Sequence, residues 1–191
     1  MRVSVYCASS TKVSVSYKRE AYELGRILSE EKVACNYGGG SVGLMGELAQ
    51  AMLDFGGSIT GIIPQFMVDQ GWDNPKVETV VVNTMHERKQ RMVKDADAAI
   101  AMPGGIGTFE ELLEVITWKQ LGLFLKPIVI LNVDNYYGPM LAMLEKAVDE
   151  QFMRREHLEL VTVVSSAAEV IPAIRKAAEW SRDEALSKAA L

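Results

Sequence analysis

The stretch Ala98-Ala99-Ile100-Ala101-Met102-Pro103-Gly104-Gly105-Ile106-Gly107-Thr108-Phe109-Glu110-Glu111 passes from an unbroken apolar segment, through a proline and three glycines, into helix-forming residues. A short strand that is apolar on both faces is what a parallel sheet buried between helix layers requires. The glycines allow a sharp turn and a close approach of backbone to ligand. A helix that follows directly aims unpaired N–H groups at the same point, which favours an anion. Thr108 and Glu111 have the spacing of a capping box, so two readings of Glu111 stand together: a helix cap, or a carboxylate beside the bound anion.

The same strand, loop and helix pattern extends in both directions along the chain. Residues 2–7 read as a strand closed by the polar run Ala8-Ser9-Ser10-Thr11, and Tyr17, Ala21, Leu24 and Leu28 recur at helical spacing. Residues 33–37 form a second strand that enters Gly38-Gly39-Gly40-Ser41-Val42-Gly43-Leu44-Met45-Gly46 and a helix stopped by Gly56-Gly57. A third strand, 58–63, is halted by Pro64, and residues 65–75 read as a long loop of the kind that tends to be functional. Strand 77–82 and helix 85–95 then lead to the opening strand.

Beyond it, Leu112, Leu113, Ile116 and Leu121 are expected on the apolar face of the next helix. A strand at 128–131 follows, and then a helix from near Tyr137 with Leu141, Leu144 and Val148 turned inward. A short strand at 160–164 and a helix from about Ala167 into a polar tail over about 180–191 complete the chain. This alternation predicts an α/β protein, a Rossmann-like doubly wound parallel sheet with helices on both faces, as one nucleotide-binding domain over residues 1–191. Ligands of such sheets sit outside the carboxyl ends of the strands, where both glycine loops fall.

Composition narrows the function classes. A formal charge of -5 over 191 residues argues against a broad nucleic-acid-binding surface. Cys7, Cys35, His86 and His157 form no metal-ligand spacing, so no metal is expected, and two cysteines in buried strands suit a reduced, cytoplasmic protein. The first ten residues read as a strand and not as a leader, and no segment approaches the roughly 20 apolar residues of a bilayer span. No convincing Ser-His-Asp order is present. Trp118, Phe124 and the methionines suit a core or an interface.

Gly38, Gly40 and Gly43 have the G-x-G-x-x-G spacing of a dinucleotide site, but the next strand ends in Ile62-Ile63-Pro64 without the acidic residue that holds a ribose. The Lys-Ser/Thr ending of a P-loop is also missing. What remains at Gly39, Gly40 and Ser41 is an anion-friendly turn that either touches the ligand or packs a helix on a strand. Thr84 and Glu87 fit a capping box. The cluster Arg88, Lys89, Arg91 and Lys94 is either a solvated face or places Arg88 in the cleft.

Met85-His86-Glu87-Arg88-Lys89 and Pro103-Gly104-Gly105-Ile106-Gly107-Thr108-Phe109-Glu110-Glu111 together resemble the signature of the LONELY GUY family of nucleotide phosphoribohydrolases. The likeness continues through residues 37–46, through Leu112-Leu113-Glu114-Val115-Ile116-Thr117-Trp118 and through Leu131-Asn132-Val133-Asp134-Asn135-Tyr136-Tyr137. The resemblance implies hydrolysis of the N-glycosidic bond of AMP or N6-prenylated AMP to the free base and ribose 5-phosphate, without a cofactor. It implies Arg88 and Glu111 as catalytic residues, Gly104, Gly105, Ile106, Gly107 and Thr108 as the phosphate site, and Lys89 and Thr117 as residues lining the substrate. It also implies a homodimer with the active site near the interface, for which the helix bearing Trp118 and Leu121 is the candidate contact.

Residues 65–75 depart from the corresponding loop of the plant enzymes, which bears on prenyl selectivity. Some relatives carry the label lysine decarboxylase, but the chain is short for a pyridoxal enzyme and offers no lysine context for one. The competing class is a non-catalytic nucleotide or molybdenum-cofactor carrier of the same fold, against which the paired Arg88 and Glu111 speak. Binding of single-stranded DNA sits poorly with the acidic charge and the missing aromatic-basic groove.

Overall fold

Strand β1 (Arg2–Tyr6) is almost wholly buried and becomes the middle of the sheet, because Val3 and Val5 on one face and Ser4 and Tyr6 on the other are all covered. It pairs in parallel with β2 (Ala34–Tyr37) on one side and with β5 (Ala98–Ala101) on the other. Outward from β2 lie β3 (Ile59–Pro64) and β4 (Glu78–Val82), and outward from β5 lie β6 (Ile128–Leu131) and β7 (Thr162–Val164). The computed structural model describes residues 1–189, with side chains up to residue 187, and its seven strands run in the order β4-β3-β2-β1-β5-β6-β7, all parallel. The expected doubly wound α/β sheet is therefore the architecture.

Helices cover both faces. One layer holds α1 (Val15–Glu30), α2 (Gly43–Asp54) and α7 (Ala167–Lys176), with Leu24, Leu28, Leu44, Leu48 and Val170 in its core. The other holds α4 (Met85–Val93) and α5 (Ile106–Gln120), packed through Met92, Leu112 and Val115. Each buried aliphatic or methionine side chain of this kind contributes roughly 1.5–3 kcal/mol from removal of apolar surface from water. Because β1 sends its chain towards β2 and β5 sends its chain towards β6, the sheet reverses direction between β1 and β5, and a crevice opens at their carboxyl ends.

Several expectations are corrected. Residues 65–75 are not a plain loop: α3 (Gln65–Val68) forms directly after Pro64, and Asp73 makes an antiparallel bridge with Gly40, folding the segment back over the crevice. Pro64 is the last residue of β3, still paired with Val82. On α5 the buried face is Leu112 and Val115, whereas Leu113 and Leu121 are each 43% exposed, because α5 meets the sheet one residue round from the expected stripe. On α6 (Gly138–Asp149), Leu141, Leu144 and Val148 are only half-buried, since that helix lies at the margin of the sheet and buries no residue fully. The segment from about 180 is not a free tail within the described residues. It forms α8 (Arg182–Ala189), which packs against α5 and buries Ala185.

Candidate active site

Three loops meet above the crevice, and one residue joins them. The Ala8 N–H donates to the Pro103 carbonyl at 3.2 Å, and the Ala8 carbonyl accepts from the Met45 N–H at 3.2 Å, so the turn after β1 ties the two glycine loops together. The Pro103 loop is held from above by neighbouring tyrosines. The Tyr137 hydroxyl donates to the Met102 carbonyl at 2.8 Å and that of Tyr136 donates to the Gly104 carbonyl, while the Tyr137 N–H is fixed by Asn132 at 2.7 Å. These tyrosines sit next to each other at the start of α6 and pack edge to face.

Helix α5 begins earlier than the capping-box spacing suggests. Gly105 is the N-cap and offers no side-chain cap, so the first N–H groups of the helix open towards solvent at the rim of the crevice. Thr108 lies within the first turn and packs against Gly104, where an added Cβ would come within 2.1 Å of its hydroxyl oxygen. Glu111 lies in the second turn, so it caps nothing. Its carboxylate faces the cavity.

Helix α4 starts as expected. The Thr84 hydroxyl accepts from the Glu87 N–H at 3.1 Å, and Glu87 accepts from the Asn83 N–H at 2.8 Å. This start directs Arg88 into the crevice, where it is 9% exposed. Its Nε donates to the Ile62 carbonyl at 2.9 Å, Nη2 to the Gly38 carbonyl at 3.3 Å, and Nη1 to Glu111 Oε1 at 3.0 Å. Gly38 makes room for it: a Cβ there would stand 2.5 Å from Nη2. All three guanidinium nitrogens are therefore committed to protein acceptors, and the side chain acts as a clamp on Glu111.

Burial raises the Glu111 carboxyl from the ordinary 4.5 to about 7, against the opposing pull of Arg88. The net direction follows from 8% exposure, which removes most of the water that would stabilise the anion. Burial likewise pushes up the Cys7 thiol and the Tyr6 hydroxyl on the cavity floor, leaving both protonated and unsuited to act as nucleophiles.

The cavity encloses about 640 Å³, within the range of small-ligand sites. Of the residues singled out from sequence, Arg88, Glu111, Gly105, Gly107, Thr108, Gly40 and Ser41 line it. Gly104 lies just beneath, Ile106 points outward at 85% exposure, and Gly39 packs on Gly61 and Ile63. Lys89 and Thr117 are elsewhere. Lys89 is buried between α4 and α5, paired with Glu110 and, at 3.0 Å, with Glu114 of α5. Thr117 is exposed on α5, its hydroxyl donating to the Leu113 carbonyl at 2.8 Å.

Sequence reasoning missed the apolar wall of Met45, Ile63, Met67 and Trp72, and the lip formed by Ser9 and Ser10. The lip was within reach of the rule that ligands sit at the reversal point of the sheet, once β1 and β5 are known to be neighbours. Among the described residues, no group of three or more His, Cys, Asp or Glu side chains could hold a metal ion, and no helix is long and apolar enough to cross a membrane.

Residues 45–174 match the protein family described as possible lysine decarboxylase. The cytokinin riboside 5′-monophosphate phosphoribohydrolase LOG2 of Arabidopsis thaliana is 43% identical over 171 residues, covering 89% of this chain and 80% of that protein. The enzyme of the same description, LOG, from Oryza sativa subsp. japonica is 44% identical over 171 residues, covering 89% and 71%. Among solved structures, the molybdenum cofactor carrier protein of Chlamydomonas reinhardtii superposes with a TM-score of 0.69 at 20% identity, covering 92% of this chain and 96% of that one, a likeness of fold alone.

Proposed function

The chain belongs to the family that contains the cytokinin riboside 5′-monophosphate phosphoribohydrolases, and on that premise we propose that it hydrolyses the N-glycosidic bond of a nucleoside 5′-monophosphate, releasing the free base and ribose 5-phosphate. The observation that carries this reading is the buried Glu111, clamped by Arg88 in a nucleotide-sized cavity beside the uncapped start of α5.

As the base departs, positive charge grows on the ribose ring, and a fixed carboxylate lowers the energy of that state. Glu111 meets this charge and accepts a proton from the attacking water. A value near 7 suits that exchange at neutral pH. Arg88 holds the carboxylate in place. The free N–H groups of Ile106, Gly107 and Thr108 receive the 5′-phosphate, whose binding positions the ribose. Met45, Ile63, Met67 and Trp72 offer an apolar wall to the base and to an N6-prenyl substituent.

In this reading the active form is a homodimer. Ile106, Leu113 and Leu121 leave an apolar stripe exposed on α5, next to Glu110 and Thr117. A second copy on that stripe would bring Lys89 and Thr117, which lie away from this chain's own cavity, towards the partner's nucleotide. Leu113→Glu is then expected to give a monomer by light scattering with little activity; a dimer that keeps full activity argues against this contact.

The reaction is tested by incubating the protein with AMP and with N6-isopentenyl-AMP and following the free base by chromatography. Release of base from either substrate, lost in Glu111→Gln, supports the proposal, and the ratio of rates reads the prenyl preference. Tight binding of a monophosphate without any release assigns the protein as a nucleotide carrier instead.

A further inference from the structure

The lip of the cavity opposite α5 is the turn after β1, and two features of that turn stand out. Its backbone is closely held: besides the two Ala8 hydrogen bonds, an added Cβ at Gly43, whose φ is +64°, would come within 2.4 to 2.7 Å of backbone atoms of Ser9 and Ser10. Its side chains, by contrast, are free. The Ser9 hydroxyl has no hydrogen-bond partner among the described residues, and the Ser10 hydroxyl only accepts a long 3.4 Å bond from the Lys12 N–H, leaving its proton unused. Both serines are exposed, and both line the cavity.

The ligand's needs supply the rest. A phosphate dianion accepts many hydrogen bonds, and the start of α5 provides donors from one side only. Arg88 is the one Lys or Arg side chain among the residues lining the cavity, and three of its five N–H groups already go to Ile62, Gly38 and Glu111, leaving one on each Nη. Across the reversal point from α5, the serine hydroxyls that line the cavity are those of Ser9 and Ser10 on the β1 side and of Ser41 after β2, and Ser9 and Ser10 are the two whose backbone is pinned on the loop that binds to Pro103.

Building on the phosphoribohydrolase reading, we infer that Ser9 and Ser10 donate their hydroxyl hydrogens to the substrate's 5′-phosphate, closing the phosphate site from the β1 side. The loop holds them there by its backbone alone, so substitution of either side chain leaves the fold intact.

Calorimetric titration of Ser9→Ala, Ser10→Ala and the double variant with ribose 5-phosphate and with adenosine tests this. Each single change is expected to raise the dissociation constant for ribose 5-phosphate about tenfold, the loss typical of one hydrogen bond to a charged group. Adenosine, which lacks the phosphate, is expected to bind all variants alike, and Ser9→Thr and Ser10→Thr to restore most of the lost affinity. Unchanged ribose 5-phosphate binding in the double variant overturns the inference, as does an equal loss for both ligands, which would place the hydroxyls on the sugar diol or the base. Failure of the wild-type protein to release any base would sink the enzymatic reading while leaving this phosphate contact to be judged by the titrations.

Discussion

Arg88 Nη1 lies 3.0 Å from Glu111 Oε1, and the two side chains are 11% and 9% exposed. The pair bridges α4 and α5, and the other nitrogens of the same guanidinium hold the ends of β2 and β3. Buried ion pairs of this kind contribute little net stability, because desolvation offsets the attraction between the charges. What the pair provides is a carboxylate fixed in orientation, while burial raises its pKa to about 7 against the pull of Arg88.

The rate of base release is expected to rise with pH through an acid limb near pH 7, because Glu111 must be ionised to accept a proton and its carboxyl is raised to about 7. A profile of kcat/KM from about pH 5 to 9 reads this directly. A limb near 4.5, where an ordinary glutamate titrates, contradicts the assignment of Glu111 as the base.

Stability is expected to move the other way. Between the ordinary value of 4.5 and about 7 the folded protein holds the Glu111 proton that the unfolded chain has released, so stability falls as pH rises through that window and levels off above it. The contribution is on the order of 3 kcal/mol. Thermal unfolding in this range should show a flatter pH dependence in Glu111→Gln than in wild type, and identical slopes would refute the link.

Arg88→Lys keeps the charge but cannot reach three divergent acceptors with one ammonium. We expect kcat to fall by roughly 100-fold or more, the scale of loss of a positioned acid-base group. In Arg88→Ala the acid limb should also shift to higher pH, since the more strongly acting of the two positive charges that favour ionised Glu111, Arg88 and Lys89, has gone. A limb that stays in place in Arg88→Ala would show that Arg88 does not act through Glu111.

Gly38→Ala puts a methyl group 2.5 Å from Arg88 Nη2 and 2.9 Å from Met45 Sδ. The φ of Gly38 is not positive, so the expected damage comes from displacing the clamp and not from backbone strain. Activity should drop roughly as in Arg88→Lys, while thermal stability falls by about 1–3 kcal/mol, the usual range for overpacking. Full activity in a folded Gly38→Ala protein would mean that the guanidinium can hold Glu111 from another position.

Much of this molecule is readable from local pattern. The strands are short and apolar on both faces, and the glycine loops sit where strands give way to helices, so the α/β sheet and the site at its carboxyl edge follow from periodicity and turn chemistry. The likeness of residues 85–89 and 103–111 to a known family supplied the reaction. The boundaries were less secure. Residues 65–75 have mixed composition, and it is tertiary contacts, among them the bridge of Asp73 to Gly40 and the packing of α3 on β3 and β4, that fold them over the cavity.

The sequence by itself therefore determined the layered fold, the two glycine loops and the residues Arg88 and Glu111 as candidates. It left Glu111 open between a helix cap and a chemical group, and Arg88 between a solvated face and the cleft. Tertiary structure removed the cap reading of Glu111 and put Arg88 in the cleft, because the two residues are 23 positions apart and meet only when α4 and α5 pack side by side on the sheet. The raised carboxyl of Glu111 likewise has no counterpart in the sequence, since desolvation depends on what surrounds a group in space. The serine lip became visible for the same reason, once β1 and β5 stood next to each other.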